Sequence, residues 1–341
     1  MPAFPRTFIS TSQLSAELLQ ATIQLALNGK SDNWKRYRHA LEDRVAALLF
    51  FNPSLRTRSS FQSGIARLGG SSVVLDPGSE TWQIEFQDGK VMDEDKPEHI
   101  REVCKTLAGY FDLVCVRCFP QLKSWEQDKR DSIISAFEQH LKVPLISMES
   151  SLWHPCQALA DAVTLHELFG GRPQGKNMVL SWAKHVKPIP MAVSNSVALM
   201  AAQLGMNLRL ACPEGFELGG EVLSQVSAAA EQSGGTFSVM HSQPEAIKGA
   251  DVVYVKSWTP PALVGKPSEE RRRWDDLPAW MIDEKLMARS ANAYFMDCLP
   301  ERRNLIVTDG VIDSTRSVVE QQAANRMHAQ NALMLRMLGV A

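Results

Sequence analysis

Short apolar runs alternate with amphipathic segments along this chain. Residues 45–50 form a continuous apolar run of the kind that a parallel sheet buries on both faces. Apolar residues at helical spacing separate most of the later runs. The pattern predicts further strands at residues 72–75, 113–116, 144–148, 178–182, 208–212, 237–240, 252–255 and 294–296. This alternation predicts an α/β protein with two doubly wound parallel-sheet domains joined by helices.

Amphipathic spacing predicts an N-terminal helix over residues 8–29 and a C-terminal helix over about 317–338. Residues 76–97 lack a clear period and carry Trp82, which predicts a long functional loop. Residues 259–278, rich in proline and charge, predict a solvated loop. At 341 residues the chain favours two domains. We place them at residues 1–153, completed by a helix over 317–341, and at residues 154–316.

Polar residues stand where predicted strands of the first domain stop. Ser54 and Arg117 each follow one strand, Glu149 follows another, and His154 opens the next helix. The carboxyl ends of parallel strands meet at one edge of a sheet, where ligands bind. Four polar groups at one edge therefore predict a shared pocket.

The strand at residues 45–50 feeds a helix through Ser54, Arg56 and Thr57. Hydroxyls, free backbone N–H groups, the positive end of a helix dipole and a guanidinium together suit a phosphate. The glycine-rich Walker loop is absent, so a nucleoside triphosphate is not the first expectation. The alternative is an ordinary turn capped by Ser54 with solvated arginines.

Composition narrows the classes of function. With 45% hydrophobic residues, 22% charged residues and a net charge of -2, the chain has no electrostatic footprint for nucleic acid or an anionic membrane. No signal-peptide pattern or membrane-spanning run is evident, which predicts a cytoplasmic protein. The six cysteines are scattered, and the pair Cys115 and Cys118 is interpreted as two small residues on a strand rather than as a metal or redox site. We expect no metal and no cofactor.

Three motifs occur in order along the chain: Ser-Leu-Arg-Thr-Arg at residues 54–58, His-Pro-Cys-Gln at 154–157, and Cys-Leu-Pro at 298–300. Together they resemble the aspartate/ornithine transcarbamylase family over essentially the whole chain. The resemblance implies a carbamoyl phosphate-binding first domain and an amino acid-binding second domain. It also implies a homotrimer with active sites at subunit interfaces.

Two departures from the family pattern indicate the branch that acts on N-acylated ornithines. Leu55 replaces the usual threonine, and the Ser-Met-Gly loop is missing. Within this branch the N-acetylornithine enzymes carry Glu where this chain has Pro97, and Lys, often carboxylated, where it has Ile306. The N-succinylornithine enzymes resemble this chain at both positions and in the four-residue gap between Glu149 and His154. The expected acceptor is N-succinyl-L-ornithine. The alternatives are N-acetyl-L-ornithine, ordinary ornithine, and a binding protein that has lost catalysis.

The resemblance also implies the role of each site residue. Catalysis would involve Arg56, Thr57, Arg117, His154, Gln157 and Cys298. Carbamoyl phosphate would be bound by these residues together with Ser54, Leu55, Trp82, Pro155, Cys156, Leu299, Arg302 and Arg326, with Trp82 coming from a neighbouring subunit. The acylornithine would meet Pro97, Glu149, His185, Lys256, Arg302 and Arg326. Asp297 departs from the family, in which His usually precedes Cys-Leu-Pro.

Overall fold

The computed structural model describes residues 4–341, which divide into two compact units. The first unit contains the chain up to Pro120, Gln127–Leu159, and the chain from Arg326 onward. The second contains Gln121–Glu126 and Ala160–Asn325. The predicted domain boundary, and the ligand predicted for each domain, remain predictions.

Strands and helices alternate as far as the middle of the chain. The strands are β1 (Thr7–Phe8), β2 (Val45–Phe50), β3 (Ser71–Leu75), β4 (Ile84–Glu85), β5 (Glu98–His99), β6 (Leu113–Arg117) and β7 (Leu145–Glu149). The helices are α1 (Ala16–Ser31), α2 (Leu55–Arg67), α3 (Ile100–Tyr110), α4 (Trp125–Asp128), α5 (Ser132–His140) and α6 (Pro155–Leu168).

The same alternation continues to the C-terminus. The strands are β8 (Asn177–Trp182), β9 (Asn207–Ala211), β10 (Thr236–Met240), β11 (Val252–Lys256) and β12 (Tyr294–Met296). The helices are α7 (Ala192–Gln203), α8 (Gly220–Ser233), α9 (Gln243–Ile247), α10 (Pro267–Asp276), α11 (Glu284–Met287), α12 (Asp309–Ile312) and α13 (Val319–Met337).

Each unit has its own parallel sheet, as predicted. The first runs in the order β1-β7-β6-β2-β3 and the second in the order β10-β9-β8-β11-β12. In the first sheet β3 lies on one side of β2, and the later strands β6 and β7 follow on the other side, so the direction of strand addition reverses between β2 and β6. In the second sheet the direction reverses in the same way between β8 and β11. Ligands of open α/β sheets bind at such switch points, beyond the carboxyl ends of the strands.

The predicted N-terminal helix over residues 8–29 is wrong in its first half. Phe8 ends β1, a 3-10 helix covers Thr11–Gln13, and α1 begins only at Ala16. Two serine caps explain the break: the Ser10 hydroxyl accepts the N–H of Ser12, and the Ser15 hydroxyl accepts that of Leu18 at 3.2 Å. Serine at these positions competes with a continuous helix because its side chain satisfies helix-end N–H groups.

The predicted solvated loop over 259–278 contains the helix α10. Pro267 stands in its first turn, and Glu270 and Trp274, one turn apart, are buried. Charged residues surround these two positions, so the sequence lacks the apolar periodicity that would predict a helix here. Within residues 4–341, no helix combines the length and hydropathy that crossing a membrane requires.

Candidate active site

Helix α2 begins directly beyond the carboxyl end of β2. Ser54 is its N-cap, and the Ser54 hydroxyl accepts the N–H of Thr57 at 3.2 Å. Leu55 points outward with 78% of its surface exposed. The first N–H groups of a helix have no acceptor inside the helix, and they form its positive end. This turn therefore offers backbone donors to an anion.

Two arginines converge on the buried hydroxyl of Thr57. Its Oγ1 accepts a hydrogen bond from Arg326 Nη2 at 2.6 Å, and Arg117 Nη1 lies 3.5 Å away. All three side chains are buried, although Arg326 lies 269 positions along the chain from Thr57. A hydroxyl that accepts from guanidinium groups still has its own proton to donate. Thr57 can therefore donate to a bound oxygen.

Glu149, at the end of β7, neutralises part of this positive charge. Its Oε2 accepts from Arg117 Nη1 at 2.5 Å and lies 3.3 Å from His154 Nε2. The Arg117 guanidinium also stacks over the Phe119 ring, with 4.5 Å to the ring centroid. Glu149 therefore orients both an arginine and an imidazole, and the two buried arginines leave the cluster with excess positive charge.

Asp131 supports this cluster, and it was not among the predicted residues. It accepts the N–H of Ser151 at 3.0 Å and of Leu152 at 3.4 Å, and it also accepts the hydroxyl proton of Ser150. Burial raises the pKa of the Asp131 carboxyl. These bonds fix the segment between Glu149 and His154. The sequence shows Asp131 only as an aspartate directly before an amphipathic helix, a pattern that predicts a helix cap. It does not predict that Asp131 fixes a distant segment.

His154 and the first turn of α6 are buried together. Pro155, Cys156 and Gln157 follow it, and Gln157 is 1% exposed. Burial raises the pKa of the Cys156 thiol to about 12, and this thiol donates to the Ser147 carbonyl at 3.6 Å. The Cys156 side chain is thus a neutral part of the core, and its backbone is what remains for ligand binding.

Trp82 and Pro97 share a surface cavity of about 660 Å³ in the first unit. Met92 also lines this cavity, and 68% of the Trp82 surface is exposed. Ser54 and Arg56 are not among its lining residues. Trp82 and Pro97 thus border one cavity, and the α2 turn of the same chain does not line it.

Glu85 holds the segment that carries Trp82. Its carboxylate accepts the N–H groups of Phe86 and Gln87, each at 2.9 Å, and pairs with Lys90 at 3.1 Å and Lys96 at 3.5 Å. The hydrogen bond from the Gln87 backbone, aided by both lysines, lowers the pKa of Glu85 to about 2. A lowered carboxyl pKa stabilises the fold above the ordinary value of 4.5, and this contribution is lost as the pH falls toward 2.

We expect Glu85→Gln to loosen this segment at neutral pH, because the amide lacks the charge that binds four donors. Trypsin cleavage after Lys90 should become about ten- to a hundredfold faster, since charged hydrogen bonds contribute about 1.5–3 kcal/mol. Glu80→Gln, at an exposed position of the same segment, is the control. Equal cleavage rates for the two variants would contradict this role of Glu85.

In the second unit, Lys256 ends β11 and lies beside the Cys298 thiol. Burial alone would lower the pKa of Lys256, but the neighbouring Cys298, Asp297 and Glu301 raise it above its usual value. Burial, opposed by Lys256, raises the pKa of the Cys298 thiol to about 12. Lys256 is thus a cation and Cys298 a neutral thiol at neutral pH. A neutral thiol is a poor nucleophile.

His185 and Arg302 form a second pair in this unit. The Arg302 Nε donates to His185 Nε2 at 3.1 Å. Burial, together with the nearby cations, lowers the pKa of His185 to about 4, which keeps the imidazole neutral and able to accept. Leu299, which follows Cys298, has φ 45° and a cis bond to Pro300.

Gln322 of α13 joins two acidic residues of the second unit. Its Nε2 donates to Asp161 Oδ1 at 2.7 Å and to the Tyr254 hydroxyl at 3.0 Å, while its Oε1 accepts the N–H of Asp297 at 3.1 Å. The Tyr254 hydroxyl donates to Asp161 Oδ2 at 3.2 Å. This network fixes the chain just before Cys298 and Leu299.

A possible metal-ligand group lies elsewhere in the second unit. Within the described residues, Cys212, Glu217 and His241 bring one ligand atom each within 4.8 Å of one another. His241 Nδ1 is already 3.1 Å from the Cys212 carbonyl oxygen, which makes it a hydrogen-bond donor in this arrangement.

The predicted site residues thus form several local groups. Those of the first unit are Ser54, Leu55, Arg56, Thr57, Trp82, Pro97, Arg117, Glu149, His154, Pro155, Cys156, Gln157 and Arg326, and those of the second are His185, Lys256, Cys298, Leu299 and Arg302. The residues of the first unit combine hydrogen-bond donors for an anion with side chains that can stabilise negative charge on an oxygen. The second presents cations and neutral acceptors, which suit a substrate with carboxylates.

Comparison with known families agrees with this arrangement. A model described as aspartate/ornithine carbamoyltransferase, carbamoyl-P binding domain, matches residues 6–167. A model of the Asp/Orn binding domain of the same family matches residues 190–337. Together they cover most of the chain.

Individual relatives match along nearly their full length. An N-acetylornithine carbamoyltransferase of Xanthomonas campestris is 40% identical over 334 residues, covering 97% of each chain. An N-succinylornithine carbamoyltransferase of Bacteroides fragilis is 36% identical over 321 residues, covering 94% of this chain and 95% of that one. A solved N-acetyl-L-ornithine transcarbamylase, with one glutamate replaced by proline and bound to carbamyl phosphate and N-succinyl-L-norvaline, has a TM-score of 0.94 and 39% identity, covering 98% and 99%.

The chain therefore belongs to the aspartate/ornithine carbamoyltransferase family, with the two-domain parallel α/β fold that was predicted. Its relatives place it in the N-acylornithine branch of that family. It is an enzyme, a carbamoyltransferase of the N-acylornithine type.

Proposed function

We propose that this enzyme transfers the carbamoyl group of carbamoyl phosphate to the side-chain amine of N-succinyl-L-ornithine, giving N-succinyl-L-citrulline and phosphate, and that it serves arginine biosynthesis. The main support is the buried meeting of Arg117 and Arg326 at Thr57, at the positive end of α2. Such a group suits both a phosphate leaving group and a carbonyl oxygen that gains negative charge.

In this proposal the first unit binds the donor. Ser54, the Leu55 and Thr57 amides, and Arg56 hold the phosphate, with Trp82 contributed by a neighbouring subunit of a homotrimer. The large exposed surface of Trp82 supports that assignment. Thr57, Arg117 and His154 polarise the carbamoyl oxygen. The remaining residues orient the carbamoyl amide and balance the negative charge of carbamoyl phosphate; they are Pro155, Cys156, Gln157, Cys298, Leu299, Arg302 and Arg326.

The acceptor side requires an uncharged amine aimed at the carbamoyl carbon. Lys256 and Arg302 would bind the carboxylates of the substrate, aided by Arg326, while Glu149 and His185 would orient its polar groups. The amine attacks directly: a C–N bond forms, the C–O bond to phosphate breaks, and the released phosphate can take the amine proton. The neutral thiols of Cys156 and Cys298 support this direct transfer rather than a covalent enzyme intermediate.

Pro97 and Ile306 favour a succinyl over an acetyl substrate. A succinyl group carries an additional carboxylate, and neither residue brings a charge against it. The solved relative with proline in place of a glutamate was studied with N-succinyl-L-norvaline, which supports this reading. N-acetyl-L-ornithine is the second candidate, because the N-acetylornithine relative is 40% identical to this chain and the N-succinylornithine relative 36%.

Incubation of the purified enzyme with carbamoyl phosphate and each of three amines tests the proposal. We expect ureido product to form fastest with N-succinyl-L-ornithine, more slowly with N-acetyl-L-ornithine, and least with ornithine. Faster reaction of the acetyl compound would replace the succinyl assignment by the acetyl one. Failure of all three amines would indicate a binding protein without catalysis and overturn the proposal.

A further inference from the structure

Asp297 has a buried carboxylate oxygen without an apparent donor. The residue follows β12 and is 1% exposed. Its Oδ2 accepts the N–H of Leu299 at 2.8 Å. Its Oδ1 is also buried, and no N–H or O–H donor within residues 4–341 reaches it. Most buried polar atoms of folded proteins have a hydrogen-bond partner, so this unsatisfied acceptor calls for an explanation.

The neighbouring carboxyl group of Glu301 explains the unsatisfied oxygen of Asp297. It lies within hydrogen-bonding reach of Asp297, and its Oε1 accepts the N–H of Arg302 at 2.7 Å. Two ionised carboxylates are both acceptors and cannot bond to each other, whereas a protonated carboxyl group gains an O–H donor. One proton between the two groups therefore supplies a donor that the Asp297 carboxylate otherwise lacks.

The burial and the charges around Glu301 also favour a proton on this carboxyl group. Burial, followed by the charge and the hydrogen bond of Asp297, raises the pKa of Glu301 to about 9, against an opposing effect of Lys256. The other ionisable or charged groups around the pair include Cys298, Arg302 and Arg303 on the same segment, Tyr254 and Lys256 on β11, Asp161 on α6, and Asp313 and Glu320, which line a surface pocket together with Glu301.

We propose that Asp297 and Glu301 share one proton, and that this carboxyl pair is a positioning device for the Cys298–Leu299 backbone and for the charge of Lys256. The inference depends on the proposed function of those three residues. With the proton in place, one carboxylate balances Lys256. When the proton is lost, a second negative charge stands beside Lys256, and a substrate that carries carboxylates binds less well. Asp297 is thereby explained as one half of a pair, where the family resemblance leads one to expect histidine.

Binding of N-succinyl-L-norvaline tests the pair, because this analogue has no side-chain amine that could titrate. Its Kd is measured by calorimetry between about pH 7 and 10 on enzyme loaded with carbamoyl phosphate, with N-acetyl-L-norvaline in parallel. For the natural chain we expect Kd to rise about tenfold per pH unit above about pH 9. Above that pH, binding should also take up a proton, visible as a dependence of the heat on the buffer.

Two variants remove the shared proton without removing the hydrogen bond. In Glu301→Gln the amide donates to Asp297, and in Asp297→Asn the amide donates to Glu301. In both we expect Kd to stay within about twofold across this pH range and the proton uptake to vanish. The second variant preserves the test if the first does not fold. Glu320→Gln, at an exposed carboxylate that lines the same surface pocket as Glu301, should behave like the natural chain.

The outcomes are distinguishable. If neither analogue binds at any pH, the proposed function fails. If an analogue binds but its Kd has the same pH dependence in the natural chain and in both variants, the carboxyl pair is wrong and the proposed function stands.

Discussion

Replacing Thr57 by valine is expected to lower kcat by about 10²–10³ while α2 stays folded. Valine keeps the volume of the fully buried threonine but removes the hydroxyl that Arg326 binds at 2.6 Å. In the proposed mechanism the reaction then loses a donor to the carbamoyl oxygen, and the arginines lose a common acceptor. Removal of one such donor typically costs this much in rate. Steady-state kinetics with carbamoyl phosphate and N-succinyl-L-ornithine measure the effect.

Ser60→Ala is the matched control for Thr57→Val. Ser60 lies one turn further along α2, and its hydroxyl donates only to the Thr57 backbone carbonyl, at 3.2 Å. We expect near-natural kcat from this variant. Circular dichroism melting curves show whether each variant is folded. A folded Thr57→Val enzyme that retains kcat within about tenfold would remove Thr57 from the proposed catalytic group.

Pro97→Glu is expected to shift the preference from the succinyl toward the acetyl substrate by up to about 10³-fold. A glutamate facing the additional succinyl carboxylate at about 4 Å would cost up to about 4 kcal/mol at an effective dielectric constant of about 20. Pro97 is exposed and lines the cavity that Trp82 also lines, so the larger side chain has room. The ratio of kcat/KM for the two substrates is the measurement.

Pro97→Gln separates charge from the loss of the proline ring, because glutamine has nearly the shape of glutamate without its charge. We expect its substrate ratio to stay close to that of the natural chain. An equal shift in both variants would mean that the backbone of this segment sets the preference. An unchanged ratio in Pro97→Glu would place the determinant elsewhere.

The sheets could be predicted from the sequence because burial on both faces leaves continuous apolar runs. The first such strand was predicted at residues 45–50, the bounds that the structure gives. Helix α10 could not be predicted in this way. Its two buried positions, Glu270 and Trp274, include a charged residue and stand among solvated charges, so no apolar stripe marks the buried face.

The candidate site could be anticipated from the sequence where polar residues end strands, as at Ser54 and Arg117. Contacts between distant segments leave no local trace in the sequence. The bond between Arg326 and Thr57 was therefore not predicted; the family resemblance indicated only that both residues belong to the site. The support that Asp131 gives to the segment before His154 was missed altogether. Residues that act through another residue carry no motif of their own, and the proposed pairing of Asp297 with Glu301 likewise could not be predicted from the sequence.

The pairing of Arg302 with His185 has a consequence for substrate capture. The neutral imidazole accepts from Nε alone among the five N–H donors of the guanidinium. A carboxylate that binds Arg302, as proposed, therefore exchanges one acceptor at Nε for a stronger one and can also use the Nη donors. Because the pKa of His185 is about 4, this exchange moves no proton near neutrality. Ionic strength, rather than acidity, should therefore govern how readily the enzyme captures its amino-acid substrate in that range.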